Sequence, residues 1–211
     1  MILKAELIKV VNTALHRKYE DTDLDNEIMS ALKDLSQRGN FLDDEFERKT
    51  KADVAYYSLP ENFKEFQFIG LMSSDRVTRY KPLVYERFTM YQRNIFYSNT
   101  TSTPRRYTWQ NEFMYIRPTP DKEYIMFFFF SIFHPEKLTV NGNDYKGCDY
   151  ILFNNIYRKA IELRLCYEVA LSLDLDDDVT KFNSLYLMDE LPKLRANLKE
   201  HAKISAYRDG F

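Results

Sequence analysis

Seven consecutive residues, Tyr124-Ile125-Met126-Phe127-Phe128-Phe129-Phe130, contain no charged or amide side chain. A strand with one face in water alternates apolar and polar residues, so a run without alternation predicts a strand covered on both faces, as at the centre of a sandwich. Even extended to Phe133 the run is far shorter than the roughly 20 apolar residues a membrane helix needs. Such a window pairs readily with other chains when exposed, and Lys122, Glu123 and Pro135 flank it as gatekeepers.

At 211 residues the chain can bury this strand within one generous domain or two small ones. Its 16 Phe and 16 Tyr make it aromatic-rich. Phe in excess means a large core, whereas Tyr in equal number fits either an aromatic β core or half-buried subunit contacts. A net charge of −2 offers no basic excess for a dedicated nucleic-acid binder, although it leaves room for DNA sliding past. Cys148 and Cys166 are the only cysteines, and the N-terminus reads as an amphipathic helix rather than a leader, so a reducing, cytoplasmic site of synthesis and a soluble protein are expected. Asn99-Thr100-Thr101 matches a glycosylation acceptor, a chance match without export.

The hydrophobic period divides the chain into helices, strands and helices. Leu3, Leu7, Val10 and Ala14 recur at helical spacing, with Ile8, Val11 and Leu15 widening the stripe. A second helix is predicted from Asp23, with Leu24, Ile28, Leu32 and Leu35 on one face and Gly39-Asn40 as a left-handed stop. From Phe41 to Gly147 the period shortens. Strands are predicted near Val54 to Ser58, from Phe66 to Met72, over Arg106 to Gln110 and Glu112 to Arg117 with a tight link at Asn111, and from Glu123 to Phe133. Between them, Pro82 to Ser98 shows no single period, and its spacing of Glu86, Arg87, Tyr91 and Arg93 is compatible with a short helix; Asn99 to Pro104 reads as a loop. From Asp149 a helical face returns, Asp174 to Asp178 interrupts it, and Pro192 either kinks a long helix or restarts it. The expected fold class is α+β: a helical bundle from residues 1–40 and 148–211 carrying an inserted, antiparallel, sandwich-like β domain at 41–147.

The sequence carries no recognisable catalytic motif. His16, His134 and His201 lie in three separate segments, form no zinc spacing, and read as surface or boundary residues. Five scattered glycines make neither a phosphate loop nor a dinucleotide fingerprint, and there is no nucleophile elbow. Asp21, Asp23, Asp25 and Asp174, Asp176, Asp178 hold the one-three-five spacing of the first three ligand positions of a calcium loop. Both runs lack its glycine at the sixth position, where Asn26 and Val179 stand, and its glutamate at the twelfth, where Leu32 and Leu185 stand. They read instead as carboxylates that cap helix N-termini and favour the helix dipole. Neither an enzyme, a cofactor nor a metal is expected. Arg105-Arg106 is the one compact basic pair beside aromatics, fit for a phosphate contact or a solvated strand start.

Read in order, the middle segment resembles the head-to-tail adaptor (connector) proteins of short-tailed, podovirus-like phages. Tyr57-Ser58-Leu59-Pro60-Glu61-Asn62-Phe63 is similar to the family's Y-x-L-P-x-D/N-F element, in which a strand ends at Leu-Pro and the Phe folds back into the core. Pro104-Arg105-Arg106-Tyr107 resembles its P-x-x-Y hairpin entry, and Glu112 to Asp121 its next strand and P-x-P-D turn. Tyr124 to Phe133 looks like the long aromatic strand, and His134-Pro135-Glu136-Lys137-Leu138 like the x-P-x-x-L exit. Ala160, Tyr167 and the Asp176-Asp177 break resemble the closing helices, so that the likeness runs to about Lys199. The strand is richer in Phe than the family's, and Thr101-Ser102-Thr103-Pro104 stands where G-x-P often precedes the hairpin. The resemblance implies a structural virion protein: a homo-oligomeric ring of twelve copies at the head-tail junction, docked under the portal protein, receiving tail or nozzle proteins, and touching the passing genomic DNA only transiently. It points to the C-terminal Ala202 to Phe211, with Tyr207, Arg208 and Phe211 as portal-binding residues, and leaves Arg105 and Arg106 for tail-side or lumen contacts. A tail-completion or tail-terminator ring and a non-viral interaction module stay open as alternatives.

Overall fold

The computed structural model describes residues 2–20, 23–97 and 100–197, the side chain of Tyr97 excepted. The chain is α+β and folds as two compact units, one from residues 1–42 with 133–211 and one from Asp43–Ile132. The expected borders at 41 and 147 therefore differ from the observed ones chiefly at the second crossing.

The β unit is a sandwich of two sheets. Strands β1 (Asp43–Lys49), β2 (Tyr56–Ser58), β3 (Phe63–Ser73), β4 (Val84–Tyr85), β5 (Arg106–Gln110), β6 (Phe113–Arg117) and β7 (Tyr124–Ile132) form it, with helix α3 (Phe88–Tyr97) between β4 and β5. One sheet has the order β1-β7-β3 and the other β2-β6-β5-β4, antiparallel throughout except for the parallel pairing of the two-residue β4 with β5. Inward residues of both sheets share one core: Phe66, Ile69 and Leu71 from β3, Tyr107 from β5, Met114 and Ile116 from β6, and Tyr124, Met126, Phe128 and Phe130 from β7. Phe66 meets Tyr107 and Trp109 edge-on across the gap, at 5.4 and 5.7 Å. Such offset and perpendicular arrangements suit the quadrupoles of aromatic rings.

The aromatic run lies at the centre of its sheet, but it is not covered on both faces. Phe128 and Phe130 are buried, whereas Phe129 is 43% exposed and Phe127 half-buried. The period-two geometry of a strand imposes this, because neighbouring phenylalanines must point to opposite faces. The outward ring of Phe129 has company in Phe68, 5.9 Å away and 42% exposed on the adjacent strand.

The helical unit contains α1 (Lys4–Ala14), α2 (Asp25–Arg38), a hairpin of β8 (Lys137–Val140) and β9 (Asn143–Lys146), α4 (Arg158–Ser172) and α5 (Asp176–Ser184). The hairpin turns at Asn141-Gly142, both with positive φ, the conformation a two-residue hairpin link requires and glycine accepts without strain. In α1 the buried stripe is Leu7, Ile8, Val11 and the following Leu15, while Leu3 is exposed; in α2 it is Ile28, Ala31, Leu32 and Leu35. Gly39 ends α2 with φ −164, extended rather than left-handed; a Cβ there would collide with the Phe41 ring, so space and not backbone handedness calls for glycine. Of the acidic runs, Asp25 sits in the first turn of α2 and Asp176 and Asp178 in that of α5, where they favour the dipole, but none supplies a side-chain cap: the N-cap residues are Leu24 and Leu175. Beyond α5 the helix widens into a π-helical turn, Leu185–Glu190, and continues over 191–197 through Pro192. Pro192 neither restarts the helix nor ends it. It removes one backbone donor, and the wide turn just before it accommodates that loss.

Candidate functional site

Of the residues singled out in the sequence, Arg105 and Arg106 fall together on the β unit. Tyr207, Arg208 and Phe211, with the rest of Ala202 to Phe211, lie outside the described residues, as do His201, Asp21 and Asn99.

After β3 the chain turns through Asp75-Arg76 and runs back along the free edge of β3. The Tyr80 N–H donates to the Leu71 carbonyl at 2.9 Å, and the Leu83 N–H to that of Ile69 at 3.0 Å. The same segment then becomes β4 and pairs with β5, so it crosses from one sheet to the other. This places Tyr80, Lys81, Pro82 and Val84 against Thr103, Pro104 and Arg105 around an open cleft of about 550 Å³. Arg79, Lys81 and Arg105 are exposed and make no ion pair among the described residues. Arg105 is held by its backbone, its N–H donating to the Arg117 carbonyl at 2.9 Å, which leaves the guanidinium directed by solvent and whatever docks there.

Arg106 is different in kind. Its guanidinium lies 3.4 Å from Glu86, a carboxylate that is 6% exposed. Arg117 donates to both oxygens of Glu86, at 2.6 Å to Oε1 and by a shorter bond to Oε2, and Asn94 of α3 donates at 2.7 Å. Those hydrogen bonds, Arg117 foremost, hold the Glu86 carboxyl below its usual range. The cluster pins α3 to its sheet, helped by Tyr91 and Phe88 packing on Tyr115 at 5.6 and 5.5 Å. Arg106 is thus partly engaged within the fold, while Arg105 stays free for contact. The Arg105-Arg106 pair is legible in the sequence, whereas Arg79 and Lys81 do not stand out in it. Their one advance signal is the Arg-x-Lys-Pro spacing before β4, and only the sheet crossing brings it beside Arg105.

In the helical unit, Asp25, Cys148 and Asp149 hold ligand-type atoms within 4.8 Å of one another. The Lys4 ammonium already occupies this acidic niche, 2.5 Å from Asp25 and 2.9 Å from Asp149, and Lys146 reaches Asp25 at 2.9 Å. Burial opposes the charge on Lys4, but the two carboxylates outweigh it and raise its pKa. Lys4 foremost keeps Asp25 low, and burial lifts the Cys148 thiol to about 11. The chain's own ammonium thus supplies the counter-charge of these carboxylates.

His134 departs from the surface or boundary position expected of it. It is buried, its ring lies nearly parallel to that of Phe153 at 5.7 Å, and both nitrogens are used. Nδ1 donates to the Pro135 carbonyl and Nε2 accepts from the Leu152 N–H, each at 3.2 Å. Burial lowers its pKa to about 4, so the imidazole is neutral and fully committed. His16 is exposed, at the end of α1, with a positive φ of 52. A further buried knot joins α2, α4 and the π-helical turn: Asp34 accepts from Arg38 at 2.6 Å and from the Tyr186 hydroxyl at 2.8 Å, and lies 3.5 Å from Arg164. Asp34 is thus shared among three partners, while Nε of Arg164 is buried without a hydrogen-bond partner among the described residues.

Among the described residues no helix is long and apolar enough to cross a membrane. The basic, aromatic-flanked edge around Lys81 and Arg105 borders an open cleft. No protein-family model matches the chain, and no curated protein matches it.

Proposed function

We propose that this chain is a structural subunit of a phage head-to-tail junction: an adaptor that forms a ring under the portal, joins the capsid vertex to the tail and leaves a channel for the genome. The observation that carries this reading is the order of elements between Tyr57 and Ile132. The strand holding Tyr57 ends at Ser58, just before Leu59-Pro60, and Phe63 turns back to pack on the shared core beside Phe66 and Phe130. Pro104 leads into β5, a tight link with Asn111 at φ 53 joins β5 to β6, and Pro118-Thr119-Pro120-Asp121 turns into the long aromatic β7. Each of these steps has the form that the resemblance to adaptors implies.

The chemistry supports an assembly role as well. The titratable groups described above are bound into structural clusters, and the free polar chemistry lies on exposed edges, where it serves recognition rather than turnover. In this reading the C-terminal Tyr207, Arg208 and Phe211 grip the portal protein, and Arg105 faces the tail or the channel. A mildly acidic subunit holds passing DNA weakly, as a conduit must. No cofactor takes part. The test is a pull-down of purified portal rings by the full chain and by a variant lacking residues 202–211. Capture by the full chain alone is expected; failure of both to bind, together with absence of the protein from purified particles by mass spectrometry, would overturn the reading.

A further inference from the structure

The charges left without ion pairs among the described residues differ in sign between the two lateral edges of the β-sandwich. Strand β1 is the outer strand of the β1-β7-β3 sheet and β2 the outer strand of the other, and Arg48 of β1 donates to the Ser58 carbonyl of β2 at 2.6 Å, so these two strands share one side. The β3-covering segment and β4 form the opposite side.

On the first side β1 runs Asp43-Asp44-Glu45-Phe46-Glu47-Arg48-Lys49; all four acids are exposed, but Asp43 accepts from Gln67 of β3 and Glu47 pairs with Arg76 of the turn after β3 at 2.7 Å. Asp44 and Glu45 make no ion pair among the described residues, and Glu45 stands level with the exposed Phe129 of the next strand. On the second side stand Arg79, Lys81 and Arg105, likewise without ion pairs among the described residues, beside Val84 at 61% and Tyr85 at 49% exposure. The acids that neighbour this basic group in sequence are already engaged: Asp75 with its own turn, through Ser73 and the Val77 N–H, and Glu86 with Arg117. Each side also ends in a strand paired along one flank only, β1 with β7 and β4 with β5, so each presents backbone hydrogen-bonding groups outward.

From this complementarity we infer that the β1 side of one subunit docks on the Arg79–Lys81–Arg105 side of a second copy. The inference deepens the proposed ring and rests on that reading for its choice of occupant. The geometry then sets the symmetry. β1 and the 79–83 segment border opposite edges of the β1-β7-β3 sheet, so successive copies use both patches in a head-to-tail arrangement. The contact is head-to-tail, and it closes into a ring when the rotation between copies allows. The competing occupant of the basic side, a nucleic-acid backbone, would match Lys81 and Arg105 but would leave the exposed Val84 without an apolar partner.

The experiment uses the full-length protein and light scattering after size exclusion, at low and high salt. Two charge-reversed variants, Lys81→Glu with Arg105→Glu and Asp44→Lys with Glu45→Lys, change only exposed side chains, and circular dichroism checks that they fold. Wild type is expected to self-associate, more weakly at high salt. Each variant alone should need at least about tenfold higher concentration to associate, and a one-to-one mixture of the two should recover assembly, because their reversed sides are again opposite in charge. If wild type associates and the variants associate equally well, the edge assignment falls while the ring survives. If wild type is monomeric throughout, both fall. If Lys81→Glu with Arg105→Glu abolishes retention of a DNA fragment without altering association, the basic side belongs to nucleic acid and the inference is overturned.

Discussion

Glu86 and His134 are both buried titratable groups, but they respond to acid in different windows. Replacing Glu86 by Gln removes the counter-charge of the half-buried Arg117 and loosens α3, at a cost of about 2–4 kcal/mol. Urea unfolding followed by the fluorescence of Trp109, the single Trp and a member of the same unit, measures it. Because the folded Glu86 carboxyl titrates below its ordinary range, its stabilisation is complete above the unfolded pKa near 4.5 and is lost as pH falls through the folded value. His134 acts earlier. Its folded pKa of about 4 lies below the ordinary 6.5, so the unfolded chain takes up a proton first and stability falls as pH drops from 6.5 toward 4. Between pH 7 and pH 5 the helical unit should lose about 2 kcal/mol, read from its urea midpoint by far-UV circular dichroism. His134→Gln should flatten that slope, and a slope unchanged by the substitution would refute the assignment. Nothing in the sequence marks His134 as internal, since a neutral imidazole with both nitrogens satisfied has no local pattern of its own. Arg105-Arg106, by contrast, is visible as a pair, but that only one of the two is free depends on Glu86, which lies far away in sequence and close in space.

At the scale of elements, strength of periodicity decides what can be read. The stripe of α2 and the strands β3, β5, β6 and β7 are legible because their apolar residues repeat at the helical or strand period. Strand β1 is not, because Asp43–Lys49 holds a single apolar residue, Phe46, whose ring stacks on Phe128 at 4.4 Å. It is a strand by virtue of its partner β7 rather than its own composition, as context-dependent β-propensity allows. The β8–β9 hairpin had a signal in Asn141-Gly142, but its strand β9 is exposed throughout and has no hydrophobic face to detect. The aromatic run misled in the other direction: composition predicts two covered faces, and the backbone delivers one. This makes a sharp comparison. Phe128→Ala should cost about 3–5 kcal/mol, while Phe129→Ala should cost less than about 1 kcal/mol, by the same urea experiment. Equal costs would mean that the outer face of the sheet is buried after all.

The whole molecule is one chain that leaves its helical unit after residue 42 and rejoins it at residue 133. The β unit has its own core and its own sheet closure, so residues 43–132 expressed alone should fold, with a cooperative thermal transition and dispersed amide resonances. A molten product would show that the sandwich depends on the helices. The pairing of Asp43 with Ser131 brings the two ends of this segment onto neighbouring strands. The register has a kinetic meaning. Until β1 and β7 meet, α1 and α2 must find α4 across a long flexible loop, and once they meet that loop shrinks to a few residues. On the logarithmic law for chain closure, the change lowers the entropic barrier to assembling the helices by about 3 kcal/mol. The last strand of the sandwich thus acts as a timer: synthesis must pass Ile132 before the first helices of the chain can be recruited by the last.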